Sequence, residues 1–86
     1  MQVEFLGVPR QRAGISDIDI DMEAATLGQL LQALALQIPS LRELINVDRL
    51  RPGFAANLNG DRFVSDPDTP LRDHDSVLIL SADAGG

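Results

Sequence analysis

Ser76-Val77-Leu78-Ile79-Leu80-Ser81-Ala82-Asp83-Ala84-Gly85-Gly86 closes the chain, and the fold turns on how this stretch is read. Val77 to Leu80 is an unbroken apolar run. It predicts a strand at the centre of a sheet, covered on both sides or docked on one. Side chains alternate along a strand, so Val77 and Ile79 point one way and Leu78 and Leu80 the other. Two glycines then stop the sequence with no further element to join. Glycine has no Cβ and adopts either sign of φ, so Gly85 and Gly86 make an arm able to enter a slot too narrow for side chains. The expected arrangement is a domain over 1–80 and a flexible arm over 81–86 that offers the α-carboxylate of Gly86. A frayed chain end would read the same way, and the preceding sequence decides between them.

Asn59-Gly60 is the strongest hairpin signal upstream. It joins a strand over Phe54-Ala55-Ala56-Asn57-Leu58 to a short partner, Arg62-Phe63-Val64. Asp66-Pro67-Asp68-Thr69-Pro70 reads as a loop whose prolines forbid regular pairing. Leu71 is an isolated core anchor, and Asp73-His74-Asp75 turns into the last strand. At the other end, Val3 to Val8 opens as a strand, and Pro9 to Gly14 reads as a hairpin loop. Ile18, Ile20 and Met22 then alternate with Asp17, Asp19 and Asp21, the period of a half-buried strand with an acidic wet face. Such a row also blunts a sheet edge against stray pairing. Its spacing echoes the start of a calcium loop, but the required glycine and late glutamate are missing.

Thr26 and Gln29 form a capping box at the start of a helix. Leu27, Leu30, Leu31, Leu34 and Ile38 make its apolar stripe, and Pro39 ends it. Gly28 in the first turn sacrifices about 1 kcal/mol relative to alanine, which implies close packing there. Ser40 and Glu43 repeat the capping pattern before a short helical turn with Leu41, Leu44 and Ile45. Residues 46–53 read as a polar loop carrying Arg49, Arg51 and a Pro52-Gly53 turn. The order predicts an α+β fold of the β-grasp, ubiquitin-like class. One main helix packs across a mixed four- to five-stranded sheet, with the last strand central beside the first and right-handed crossovers. One sheet face stays open, so one of the two apolar pairs in the last strand forms a surface patch beside the arm. Patches of that kind mark partner sites. Leu78, Leu80, Phe54 and Arg51 are the candidate partner-binding residues.

Composition narrows the function. The 86 residues carry a net charge of −6 and no cysteine, which removes disulfides, thiolate metal sites and a thiol nucleophile. Counterion release cannot drive binding to nucleic acid at that charge, and three phenylalanines make no stacking platform. A protein partner with a basic surface is the electrostatic match. No apolar run approaches the roughly 20 residues of a spanning helix, and no basic segment precedes an apolar one at the N-terminus, so a cytoplasmic protein is expected. All seven basic residues are arginine, which reads first as a compositional bias toward arginine codons; it also leaves no ε-amine to attack an activated carboxyl on the same molecule. His74, the only histidine, has no serine, cysteine or ligand cluster at a catalytic spacing and reads as a turn residue. No resident metal or cofactor is expected, and no constellation for autonomous catalysis is visible.

Asn59-Gly60, Pro70-Leu71, Asp73-His74-Asp75-Ser76-Val77 and an apolar strand ending in Gly85-Gly86, in that order, resemble the MoaD/ThiS-type sulfur carriers. The detailed match covers roughly the last third; the first half agrees in pattern and length. Many family members have Gly-Asp where His74-Asp75 stands here. Many molybdopterin-type members carry two prolines and a valine where this chain has Ser81-Ala82-Asp83-Ala84. Arg51-Pro52-Gly53 is more similar to the ubiquitin-related and metabolite branches.

The resemblance implies a protein co-substrate that is not an enzyme. An ATP-dependent adenylating enzyme would activate Gly86, sulfur from a persulfide would displace AMP, and a pathway-specific acceptor enzyme would take sulfur from the thiocarboxylate. The acceptor pathway could build a cofactor, an amino acid, a siderophore-type metabolite or thiolated tRNA. Gly85 and Ala84 would keep the approach to the activating site thin. Two alternatives share the same terminus: a ubiquitin-like modifier conjugated through Gly86 to lysines, and the small subunit of molybdopterin synthase.

Overall fold

The apolar alternation sets a five-stranded sheet. The computed structural model describes residues 1–82. Its elements are β1 (Gln2–Phe5), α1 (Val8–Ala13), β2 (Asp17–Asp19), β3 (Ala24–Thr26), α2 (Leu27–Gln37), a 3-10 turn (Pro39–Glu43), β4 (Ile45–Asn46), β5 (Arg49–Leu50), β6 (Phe54–Leu58), β7 (Arg62–Val64), β8 (Pro70–Arg72) and β9 (Ser76–Ser81). The main sheet has the order β2-β1-β9-β6-β7, so the last strand is central. β9 runs parallel to β1, with Val77 opposite Val3 and Ile79 opposite Phe5. It runs antiparallel to β6, with Val77 opposite Leu58 and Ile79 opposite Ala56. All six of these side chains are buried, under α2. Leu27, Leu30, Leu31 and Leu34 of that helix are buried too. Each such burial is worth about 1.5–3 kcal/mol.

The capping box forms as the sequence requires. Gln29 N donates to Thr26 Oγ1 at 3.2 Å, and Thr26 N donates to Gln29 Oε1 at 2.9 Å. Gly28 is buried where the β4–β5 hairpin and the Pro67 loop close over the helix. A Cβ there would stand 3.1 Å from Cβ of both Asp48 and Pro67.

Several segments differ from the sequence expectation: β1 ends at Phe5 with Val8 already in α1, β2 ends at Asp19, short of Met22, and Ala24–Thr26 adds an unforeseen strand, β3. Pro9–Gly14, expected as a hairpin loop, belongs to helix α1 and its cap: Pro9 sits in the first turn, and Gly14 closes the helix at φ 75° with its N–H on Arg10 O. Proline at the start and glycine just past the end is the ordinary asymmetry of helix ends. Pro70, expected to exclude pairing, is the first residue of β8. That strand pairs with β3 outside the main sheet, where a missing donor at the strand start is tolerated. Leu71 is buried as expected, but within this ladder. The 46–53 loop contains the second half of a tight hairpin, Ile45-Asn46 against Arg49-Leu50.

One polar cluster locks the entry to β9. Asp75 Oδ1 accepts from Asn59 Nδ2 at 3.0 Å, and Asp75 Oδ2 accepts from Arg72 N at 2.8 Å. Asn59 Oδ1 accepts in turn from Ser76 N at 2.7 Å. These bonds tie the Asn59-Gly60 hairpin to the Asp73–Asp75 turn. The Asn59 bond first, and the Arg72 amide second, hold the Asp75 carboxyl below its ordinary value, against the opposing effect of burial.

A depressed carboxyl stabilises the fold above its unfolded pKa and loses that contribution as pH falls through the folded value. Asp75→Ala is therefore expected to lower stability by about 1–3 kcal/mol at neutral pH. The deficit should shrink as pH drops below the ordinary carboxylate range; chemical denaturation at several pH values checks this. Gly28→Leu is expected to lower stability by about 1–3 kcal/mol through overpacking, read as a lowered midpoint in the same assay.

Candidate partner interface and the root of the arm

The register decides which residues face a partner. Leu78 of β9 lies between Glu4 of β1 and Asn57 of β6, and Phe63 of β7 lies opposite Asn57. Leu80 lies opposite Ala55. All of these share the face turned away from α2. Leu78 and Leu80 are half-buried there, and Phe63 is 67% exposed. The expected apolar patch is thus Leu78, Leu80 and Ala55, extended across the sheet by Phe63. The other half of the face is acidic: Glu4 stands directly opposite Asp17, and Gln2 opposite Asp19. Like charges facing each other across two strands are unfavourable in the free molecule. The open face therefore has an apolar half and an anionic half.

Phe54 and Arg51 sit elsewhere. Phe54 pairs with Ser81, which puts it on the helix side, half-buried against the core. There it lines a groove of about 780 Å³ with Leu27, Leu31, Leu50 and Val64; the same groove takes in Ala55, Phe63 and Leu80 of the open-face patch and reaches the root of the arm at Ser81 and Ala82. Arg51 is exposed on the turn before β6. Its N–H donates to Leu44 O at 2.9 Å, and its carbonyl accepts from Phe54 N at 3.2 Å. That turn aims Gly53 O at Ala82 N, 2.8 Å away.

Strand β9 therefore extends through Ser81, one residue past the sequence-predicted strand end, with a further bond at Ala82. The arm is rooted between the Arg51-Pro52-Gly53 turn and Gly7, where a Cβ would lie 3.4 Å from Ser81 Oγ. Ser81 Oγ is itself buried without a hydrogen-bond partner. Ala84, Gly85 and Gly86 lie outside the described residues.

His74 is exposed, with Nδ1 3.3 Å from Asp73 Oδ1. Among the described residues no group of three or more His, Asp or Glu side chains is placed to hold a metal, and no helix is long and apolar enough to cross a membrane. The interface residue that sequence reading passed over is Phe63. A strict two-residue Asn59-Gly60 loop would set Phe63 opposite Ala56, on the core side. Asp61 N instead closes the turn on Leu58 O at 3.0 Å, and Arg62 takes the place opposite Leu58. The single extra residue turns the strand over.

The ThiS family profile fits residues 3–86. The chain belongs to the ThiS family. Solved structures agree on the fold. The Haloferax volcanii HVO 2177 protein is 27% identical, with 99% of this chain and 84% of that one aligned at a TM-score of 0.74. CysO in its Amycolatopsis orientalis complex with BexX is represented by a match at 20% identity, 99% and 98% coverage and a TM-score of 0.77. The small archaeal modifier protein 1 of Methanosarcina acetivorans matches at 21% identity, 99% and 94% coverage and a TM-score of 0.74. The last two are likenesses of fold alone. No match emerged among curated proteins. The ThiS-family chain thus has the β-grasp, ubiquitin-like fold that its sequence predicts.

Ser81→Ala removes a buried hydroxyl that has no partner. The expected outcome is unchanged or higher stability, by up to about 1 kcal/mol, measured as a melting midpoint. A clear loss would show that the hydroxyl supports the root of the arm.

Proposed function

We propose that this ThiS-family protein carries sulfur on its own C-terminus. The observation that supports the reading is the family match running through Gly86 in a chain whose final strand is the best-anchored of the sheet. A carboxylate is a poor electrophile because attack adds charge to an anion. An ATP-dependent activating enzyme removes that obstacle: the Gly86 carboxylate attacks the α-phosphorus, pyrophosphate leaves, and an acyl-adenylate forms. A persulfide then attacks the acyl carbon and AMP departs. A second thiol cleaves the acyl disulfide, leaving the thiocarboxylate. A pathway-specific acceptor enzyme consumes that sulfur. The carrier supplies no catalytic side chain; its contribution is positioning and covalent carriage.

Within this reading, Leu78, Leu80 and Phe63 form the apolar half of the docking face, and Glu4, Asp17 and Asp19 meet basic groups on the activating enzyme. Arg51 flanks the arm root, and Phe54 supports it from the core side. Gly85 and Ala84 keep the arm slender enough for the adenylation slot. ATP is spent by the partner; the carrier itself holds no cofactor. The cytoplasm, where ATP and persulfide donors meet, is its place of work.

Gly85→Val and deletion of Gly86 are expected to reduce AMP release by the adenylating enzyme of the same organism at least about a hundredfold, with the amide spectrum of the domain unchanged. A Gly86-deleted chain that still acquires sulfur defeats the reading. Phe63→Asp is expected to raise the carrier's KM in that assay roughly tenfold, about 1.4 kcal/mol, with no loss of stability.

A further inference from the structure

Asn59 joins a reactive sequence to a tight set of hydrogen bonds. Of the three asparagines, Asn46 precedes Val47 and Asn57 precedes Leu58, whereas Asn59 precedes Gly60. A side chain on the following residue shields its backbone nitrogen, and glycine has none. The Gly60 nitrogen can therefore attack Cγ of Asn59. It loses its proton as the new C–N bond forms, and the side-chain nitrogen leaves as ammonia. Water then opens the cyclic imide at either carbonyl, giving aspartate or, with the main chain rerouted through Cγ, isoaspartate. Water is the only co-reactant. Asn59 and Gly60 are both exposed, and nothing lies within 4 Å of a Cβ built on Gly60. Neither burial nor crowding shields the pair.

Hydrogen bonding shields it instead. Asn59 Oδ1 accepts from Ser76 N at 2.7 Å, and its Nδ2 donates to Asp75 Oδ1 at 3.0 Å. Asn59 N donates to Ser76 O at 2.7 Å, so main chain and side chain are both fastened to the first turn into β9. Ring closure needs the amide to leave both partners and turn back on its own backbone. Asp75 is only 9% exposed and is held in turn by Arg72 N at 2.8 Å, which gives the clasp on Asn59 a fixed base.

We infer that Asn59 is a one-way deamidation site that the entry lock of β9 holds closed, so that release of the lock leaves a permanent mark on the chain. The mark prevents relocking. Aspartate at this position puts an oxygen where Nδ2 donated, facing the buried Asp75 carboxylate with no proton between them. Isoaspartate adds a carbon to the main chain of the turn whose residue count sets the face of Phe63. Either product loosens the strand that roots the arm, and a chain that has opened once is set apart from intact ones. What the arm carries plays no part in this.

Peptide mapping of the whole chain, kept at neutral pH, reads aspartate and isoaspartate at residue 59 over time. Asn46 and Asn57 are internal controls in every sample. Deamidation in the folded chain is expected to be at least about a hundredfold slower than in a free peptide of residues 54–64, as for a site that reacts only on opening. Asp75→Ala removes the clasp, and Gly28→Leu weakens the fold far from it. At global stabilities matched with denaturant, Asp75→Ala should deamidate at least about fivefold faster than Gly28→Leu, because its opening is local. Asp75→Glu keeps the charge but displaces it, and should show the same ordering if Asp75→Ala does not fold. Asn59→Asp, the product itself, should melt at least about 4 °C below the wild type. Deamidation of the folded chain as fast as the peptide overturns the inference. So does equal acceleration by Gly28→Leu at matched stability, which makes global unfolding the gate. An Asn59→Asp chain that melts with the wild type overturns it too, because the mark would then change nothing.

Discussion

Strand β9 is held on both edges, by β1 in parallel and by β6 in antiparallel register, and everything functional hangs from that double pairing. Val77 and Ile79 are sealed beneath α2, whereas Leu78 and Leu80 are half-buried on the other face. A central strand with both ladders satisfied opens only with the whole domain, while edges and termini open first. The arm is thus carried by the part of the molecule least able to yield. Because β9 is the middle strand, the sheet cannot close until the segment that leads to the arm is in place. Asp75 and Asn59 pin the entry to this strand, and Gly53 pins its exit.

From that axis the surface divides in two. Across the sheet, an apolar half at Leu78 and Phe63 adjoins an anionic half at Glu4 and Asp17. Along the strand, the Asp75–Asn59 cluster fastens the entry and the Gly53–Ala82 bond the exit. The opposition of Glu4 and Asp17 is unfavourable in the free molecule, and neither has an ion-pair partner among the described residues. A surface that accepts such a local penalty is shaped for something outside itself. The carrier reading supplies that something: an enzyme that must hold a rigid domain in one orientation while a thin arm reaches its ATP.

Much of this was legible before any coordinates. The apolar run at 77–80 placed the last strand in mid-sheet, the Thr26-Gln29 pair placed the helix start, and the aspartate alternation placed the acidic edge. Gly28 marks a site of close packing in the sequence itself, because glycine in a helix needs a reason, and Asp48 and Pro67 supply it. The misses share a cause, which is that short elements have too few residues for periodicity to show. Helix α1 has six residues, and its only signal was Pro9 and Gly14 at its ends. Strands β3 and β8 have three residues each and pair outside the main sheet, so neither a hydrophobic pattern nor a turn announces them. Phe63 and Phe54 show the sharper limit. Composition marks both as apolar strand residues, but their faces depend on whether Asp61 is counted in the turn or in the strand, and on the register of β6 against β9. A parity of one residue separates core from interface, and only the hydrogen-bond register sets it.

Intact-mass spectrometry of the protein from its native host, grown with ample sulfur, tests the central claim most directly. The account predicts a fraction of chains in which one oxygen has been replaced by sulfur, with fragmentation placing the exchange at Gly86. An unmodified carboxylate in every chain, or Gly86 found only in branched peptides joined to lysines of other proteins, would contradict it.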